Sequence, residues 1–93
     1  MTKKTVKFDS DGIQKLPNDK PVVYKILDNN SENIYTGIAK KGRVKERISE
    51  HFEGQSDEIP GEKVQIEQMP SIDEARKKEN RIISRSMPKF NKR

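Results

Sequence analysis

The sequence predicts an α+β fold in which helices pack on a small antiparallel sheet of three strands. Three segments are rich in β-branched residues or alternate apolar with polar side chains, which is typical of strands. Two other segments repeat their apolar residues at helical spacing. Along the chain the predicted order of these elements is β-β-α-β-α.

The first two strands form a predicted hairpin. Residues 22–28 (VVYKILD) and 33–39 (NIYTGIA) have strand-like composition, and the sequence NNS between them favours a turn. Residues 1–20 alternate only weakly, so we expect an N-terminal arm or a short extra strand there. The remaining residues, 21–93, are then the main domain.

The first helix is predicted over residues 42–54, where Val44, Ile48 and Phe52 recur at every fourth position. After a loop, residues 63–69 (KVQIEQM) alternate apolar and polar side chains, which predicts the third strand.

The second helix has the clearest start and stop signals. Ser71 and Glu74 have the spacing of a capping box, and helix-forming residues follow as far as Ser86. Pro88 forbids continuation, so the helix is predicted to end just before it.

Composition limits the classes of function. The chain has 93 residues, no cysteine and a single histidine, His51, which excludes disulfides, thiolate metal sites and zinc sites with several histidines. Any metal would be held by carboxylates, which favours a hard ion such as magnesium. Because no apolar run approaches the length of a membrane span and no signal peptide is evident, we expect a cytoplasmic protein that does not contact membranes.

Residues 71–93 carry eight basic and three acidic side chains, a surplus equal to the whole net charge of +5, and a second basic stretch at residues 40–47 is offset by the acidic segment after it. Such clusters favour binding to a polyanion such as DNA, although solvated helix surfaces explain the same composition. The candidate DNA-binding residues are Lys40, Lys41, Arg43, Lys45, Arg76, Lys77, Arg81 and Arg85.

One carboxylate is predicted on an apolar helix face. At about 100° per residue, Glu79 falls among Ile72, Ala75 and Ile82 on the second helix. A carboxylate buried there must be paired, protonated or bound to a metal, because an isolated buried charge is costly. The alternatives to a metal site are an ion pair with a neighbouring arginine and a position at the rim of the apolar face.

Four further polar residues accompany Glu79. Arg47 and His51 are four residues apart and flank the apolar face of the first helix, while Tyr24 and Tyr35 lie on the hairpin strands. A hydrogen-bonded structural histidine and packed tyrosines are the commoner interpretations. Together, however, the five could cleave a phosphodiester, with a metal on the carboxylate, the arginine on the phosphate and a phenolate or imidazole activating water.

Two triplets of the hairpin resemble the signature of the GIY-YIG nuclease superfamily. They are VVY (residues 22–24) and YTG (residues 35–37), with ten residues between the tyrosines. The segment RVKERISEHF is similar to the family helix that carries an essential arginine and, four residues later, a histidine, which maps to Arg47 and His51.

Residues 75–91 contain the pattern A-x3-E-x2-I-x5-P-x2-N, which resembles the closing part of the family's domain. By this resemblance the metal-binding glutamate of the family maps to Glu79 and its late asparagine maps to Asn91. Three positions depart from the triplets: Val22 replaces the glycine, Val23 the isoleucine and Thr36 the middle of the second triplet. A side chain at position 22 is expected to crowd the site.

The resemblance implies a metal-dependent DNA endonuclease. In it Glu79 would hold one Mg²⁺ (or Mn²⁺), Arg47 would neutralise charge on the phosphate, and Tyr24 would be the general base. His51 is a competing candidate for the base, and Tyr35 and His51 would position water or share its proton. Asn91 would support the site.

Two other functions stay open. Val22 motivates a non-catalytic nucleic-acid-binding module with the same fold, and the basic surface alone would fit an acidic partner protein. Repair, restriction and mobile-element roles all use this fold, so the pathway stays open. Specificity could come from a partner protein, a dimer or the structure of the DNA.

Overall fold

The computed structural model describes residues 3–52, 54–55 and 58–91. The ends of the chain and part of the predicted loop after the first long helix lie outside the described residues. The elements in chain order are β1 (Lys3–Lys7), α1 (Ser10–Gln14), β2 (Val22–Leu27), β3 (Asn33–Ala39), α2 (Val44–Ser49), β4 (Lys63–Gln68) and α3 (Ile72–Ser86).

The strands form one antiparallel sheet in the order β1-β4-β2-β3, which confirms the predicted α+β class. The sheet has four strands, one more than the predicted three, because β1 pairs along the free edge of β4, with Lys3 opposite Glu67. Backbone hydrogen bonds at a sheet edge do not require an apolar face, and β1 has only the half-buried Val6 in that role. Its weak alternation therefore gave little signal.

Two helices differ from the prediction. The short helix α1 lies within residues 1–20, where no helix was predicted, and the side chain of Asp9 caps it by accepting from the backbone nitrogen of Gly12 at 2.7 Å. Helix α2 ends at Ser49, about one turn early, because the chain tightens there. The backbone nitrogen of His51 donates to the carbonyl of Ile48, three residues back instead of four.

Helix α3 matches its predicted bounds. The Ser71 hydroxyl accepts from the backbone nitrogen of Glu74 at 3.2 Å, as a capping box requires. At the other end Met87 adopts a left-handed conformation with a φ of 44°, and its backbone nitrogen donates to Ile83.

The sheet carries helices on both faces. Along β2, Val22, Tyr24 and Ile26 point into the larger core cluster, which also contains the buried residues of α1 and α2. The alternate residue Val23 points to the opposite face, where it packs with Ala75 of α3. Both α2 and α3 contact β3, one of the two edge strands, from opposite faces of the sheet.

No helix within the described part of the chain is both long enough and apolar enough to cross a membrane.

Candidate active site

A cleft of about 430 Å³ opens beside the edge strand β3, between α2 and α3. Ile38 and Ile72 supply part of its apolar surface. Its charged lining consists of four cations and two carboxylates, namely Lys40, Arg43, Arg47, Arg76, Glu50 and Glu79. The excess of positive charge suits an anionic ligand.

Arg47 and Glu79 face the same cleft from different helices. Arg47 lies on α2 with its side chain half exposed, and its Nη1 donates to Glu50 Oε1 at 3.2 Å. Glu79 lies on α3 and is half-buried. The cleft therefore has on one wall a guanidinium, which suits a phosphate, and on the other wall a carboxylate, which suits a metal ion.

Tyr24, Tyr35 and His51 form an aromatic cluster on the α2 face of the sheet. The Tyr24 hydroxyl lies 2.8 Å from His51 Nε2, and both residues are buried. The ring centroids of Tyr35 and His51 are 4.6 Å apart, and those of the two tyrosines are 6.1 Å apart. The hairpin register brings the tyrosines onto one face, because Ile26 of β2 pairs with Tyr35 and lies two residues from Tyr24.

Gly37 makes room for the Tyr24 ring. It pairs directly with Tyr24 across β2 and β3, and a Cβ at position 37 would lie 2.6 Å from the Tyr24 hydroxyl oxygen. A side chain here would therefore displace the ring, which explains the need for glycine in the YTG triplet.

The electrostatics connect the cluster with the cleft. Burial raises the pKa of Tyr24 well above its ordinary value, Tyr35 raises it further, and the positive charge of Arg47 opposes the rise. Partial burial alone would lower the pKa of Arg47, but the ionisable groups of Tyr24, Glu50 and Tyr35 outweigh it and raise that pKa overall. Tyr24 is thus a neutral phenol and a hydrogen-bond partner of His51. Arg47 interacts electrostatically with Tyr24 and also lines the cleft, so it connects the aromatic cluster with the cleft.

Arg47 and His51, four residues apart, both interact with Tyr24. Because α2 ends at Ser49, His51 turns inward to Tyr24, while Arg47 remains on the helix and lines the cleft. Tyr24 links them, through its hydrogen bond to His51 and through the charge of Arg47.

Asn91 lies away from the cleft lining and holds the backbone of β3. Its Oδ1 accepts from the backbone nitrogen of Thr36 at 2.7 Å, and its Nδ2 donates to the Thr36 carbonyl at 2.8 Å. Thr36 is the residue between Tyr35 and Gly37, so this contact fixes the segment that carries the second triplet.

Val22 does not crowd the cleft. Its side chain is fully buried in the larger core cluster and is absent from the lining. The larger side chain at this position therefore contributes to core packing on the face opposite α3.

Only part of the predicted DNA-binding set lies at the cleft: Lys40, Arg43 and Arg76 line it. Arg43 also pairs with Glu46 at 2.8 Å. Outside the lining, Lys45 is half-buried, and the exposed residues are Lys41, Lys77, Arg81 and Arg85.

Two residues at the site were not singled out from the sequence. Asn18, from the segment before β2, caps α2 by accepting from the backbone nitrogen of Val44 at 2.8 Å, and no local pattern links positions so far apart. Glu50 lines the cleft beside Arg47, and its spacing of three residues from that arginine was a readable signal for an ion pair.

The side chains at the cleft are compatible with a magnesium site in which waters and substrate phosphates supply most of the ligands. Among the described residues there is no group of three or more His, Cys, Asp or Glu side chains placed to enclose a metal. Magnesium usually keeps several waters and takes one or two carboxylates together with substrate phosphates. Glu79, half-buried in an open cleft, offers a carboxylate of that type.

Comparisons with known proteins agree with this architecture. The family model described as the GIY-YIG catalytic domain matches residues 20–93. The UvrABC system protein C of Methylococcus capsulatus is 35% identical over 79 residues, which cover 76% of this chain and 12% of the relative. The protein of the same name from Pseudoalteromonas atlantica is 30% identical over 95 residues, covering 94% of this chain and 15% of the relative.

The chain thus spans less than a sixth of the length of these curated relatives. Among solved structures, the GIY-YIG N-terminal endonuclease domain of UvrC from Thermotoga maritima, bound to its catalytic magnesium, superposes with a TM-score of 0.72. It is 22% identical, and the match covers 90% of this chain and 100% of that domain. This likeness concerns the fold.

Proposed function

The chain belongs to the GIY-YIG family, whose members are nucleases that hydrolyse phosphodiester bonds, and from this premise we propose that it is a metal-dependent DNA endonuclease acting at the cleft beside β3. The observation that carries the proposal is the placement of Arg47. It lines the cleft that Glu79 also lines, and its charge acts on the Tyr24 hydroxyl.

Arg47 is proposed to bind the scissile phosphate. Its planar guanidinium donates several hydrogen bonds in a fixed geometry that fits phosphate oxygens. As the phosphorus is attacked, negative charge grows on those oxygens, and a fixed cation stabilises the transition state more than the ground state.

Tyr24 and His51 are proposed to act together as the base. Because Tyr24 is a neutral phenol at rest, it can accept the proton of the attacking water only as its own proton leaves, and His51 Nε2 at 2.8 Å is placed to receive that proton. Tyr24 is fully buried, so the proposal requires a water to enter beside the phenol. Tyr35, whose ring lies at a tilt of 53° to the imidazole, would keep that imidazole in place by packing against it.

Glu79 is proposed to hold one Mg²⁺ or Mn²⁺. When bound there, the ion would supply stabilisation of the charge on the leaving oxygen. The carboxylate also restricts where a phosphate can lie, because two anions avoid close contact unless a cation lies between them. In the absence of metal, Glu79 therefore opposes binding at its end of the cleft.

Lys40, Arg43 and Arg76 are proposed to hold neighbouring phosphates of the DNA. Contacts of this kind carry no sequence information and weaken as salt rises. Selectivity would then come from a second copy, a partner protein or the structure of the DNA.

The experiment is nicking of supercoiled plasmid at low salt with magnesium or with EDTA. Nicking that requires the metal and is lost in both Glu79→Gln and Tyr24→Phe would support the proposal. If the protein binds DNA but nicks it with neither magnesium nor manganese, the proposal is wrong and the binding-module alternative is favoured. Nothing in the packing of Val22 now favours that alternative, since this residue is buried in the core.

A further inference from the structure

The cleft contains a second carboxylate that pairs with its central arginine. Glu50 accepts from Arg47 Nη1 at 3.2 Å, and both residues line the cleft. The two side chains are 50% and 35% exposed, so the pair is open to the cleft and not enclosed in the core. The guanidinium assigned to the phosphate is thus already bonded to an anion of the chain itself.

Helix stability does not explain this carboxylate. Glu50 is the C-cap of α2, where the helix dipole disfavours negative charge, and exposed ion pairs contribute little stability. Glu46 provides the contrast: it pairs with Arg43 at the same spacing but lies in the first turn, where negative charge is favourable. Of these two carboxylates, only Glu50 lines the cleft.

We infer that Glu50 is a positioning residue that holds the Arg47 guanidinium at the cleft and is displaced by a phosphate of the substrate. The inference rests on the proposed function, because it takes the competing anion to be a DNA phosphodiester. Carboxylate and phosphate bind the same guanidinium N–H groups, so both cannot occupy them fully at once. Glu50 therefore orients Arg47 and, at the same time, weakens the binding of phosphate.

Neutralising Glu50 should separate these two effects. Glu50→Gln keeps the size of the side chain but removes the competing charge, so DNA should bind more tightly. The guanidinium also loses its oriented partner, and poorer positioning should lower the turnover rate. If Glu50→Gln acted only by raising the net positive charge, DNA would bind more tightly and the turnover rate would stay unchanged.

The binding test uses a short fluorescent DNA duplex in EDTA, with the Kd measured by anisotropy. Glu50→Gln should lower the Kd by up to about fivefold, and Glu32→Gln, the same loss of one charge at an exposed residue outside the cleft lining, should lower it clearly less. In an Arg47→Gln background, Glu50→Gln should give no more than the Glu32→Gln effect. Equal effects of the two single variants, or an undiminished Glu50→Gln effect without Arg47, would overturn the inference.

Plasmid nicking with magnesium distinguishes this inference from the proposed function. Wild-type protein that binds the duplex but does not nick shows that the proposed function is wrong. Wild-type protein that nicks, with Glu50→Gln lowering both KM and kcat while its melting temperature stays unchanged, supports both. If Glu50→Gln lowers KM but leaves kcat unchanged, like Glu32→Gln, the positioning role is wrong and the nuclease assignment stands.

Discussion

The hydroxyl of Tyr24 lies 2.8 Å from Nε2 of His51, and both side chains are buried beneath β3 and α2. Burial raises the pKa of the phenol, so at neutral pH the hydroxyl carries its proton and faces Nε2 of the imidazole. The surroundings of Tyr24 therefore do not favour the phenolate form. For Tyr24 to act as a general base, its own proton has to pass to a second group, and His51 is the hydrogen-bond partner of the hydroxyl.

Replacing Tyr24 by Phe is expected to lower plasmid nicking by at least about 100-fold, the usual contribution of a general base. The ring remains in the core, so duplex binding in EDTA should be nearly unchanged. The matched control is Tyr35→Phe, the same chemical change in the same cluster, which should cost less activity. If Tyr35→Phe costs as much as Tyr24→Phe or more, the assignment of the base is wrong.

The raised pKa of Tyr24 also predicts how stability depends on pH. In the unfolded chain the phenol ionises near its ordinary value of 10.0, whereas in the folded protein it stays protonated to higher pH. The folded state therefore binds more protons in this window, and the free energy of unfolding should fall as pH rises above 10.0.

Chemical denaturation of wild type and Tyr24→Phe at several pH values from neutral to strongly alkaline would measure this dependence. The other ionisable groups are the same in both proteins. The difference between the two curves isolates Tyr24. Curves that stay parallel above pH 10.0 would contradict the effect of burial on its pKa.

Much of the fold could be predicted because local signals and packing agree. The bounds of β3 are the predicted ones, and those of α3, β2 and β4 differ by at most one residue. Where the fold differs, the cause is a distant contact. The strand β1 forms by pairing with β4, and α2 ends early where the chain turns His51 toward Tyr24.

The candidate site was predictable as a set of residues but not as an arrangement. Helical spacing identified Arg47 and Glu79 as unusual, but it could not show that they line one cleft from two helices. Nor could it show that Asn91 bonds to the backbone of Thr36, because that contact spans 55 residues. Such pairings depend on tertiary packing, which periodicity does not encode.

Neutralising the carboxylate of Glu79 tests the metal site. Glu79→Gln should abolish nicking at every magnesium concentration while duplex binding in EDTA is retained or slightly improved, because a negative charge leaves a cleft that binds an anion. Asp73→Asn is the control, since it removes an exposed charge from the first turn of the same helix.

A structural ion pair at Glu79 would give a different result. In that case Glu79→Gln would lower the melting temperature, and nicking would fall only in proportion to the folded fraction. Nicking and thermal unfolding measured on the same preparations separate the two explanations.

Gly37→Ala should disturb the Tyr24 ring. The added Cβ would lie 2.6 Å from the hydroxyl oxygen and 2.7 Å from the ring carbon that bears it, so the ring must shift. Overpacking of this kind costs about 1–3 kcal/mol of stability, and nicking should fall further because the hydrogen bond to His51 is strained. Gly42→Ala is the comparison, since no atom lies within 4 Å of a Cβ there and only its positive φ of 82° opposes the change. Equal losses of activity in the two variants would contradict the close packing of Tyr24 on Gly37.

Asn91→Ala tests whether this residue acts in the chemistry or through the backbone. Its side chain makes two hydrogen bonds to Thr36, at 2.7 and 2.8 Å, and their loss should lower the free energy of unfolding by about 1–3 kcal/mol. Because those bonds occupy both the amide oxygen and the amide nitrogen, the role expected for Asn91 is to hold β3 where Tyr35 and Gly37 need it. Nicking measured well below the melting temperature should therefore fall far less than in Glu79→Gln. If the fully folded variant is as inactive as Glu79→Gln, Asn91 must contact the substrate or the metal directly, and its assignment to the backbone is wrong.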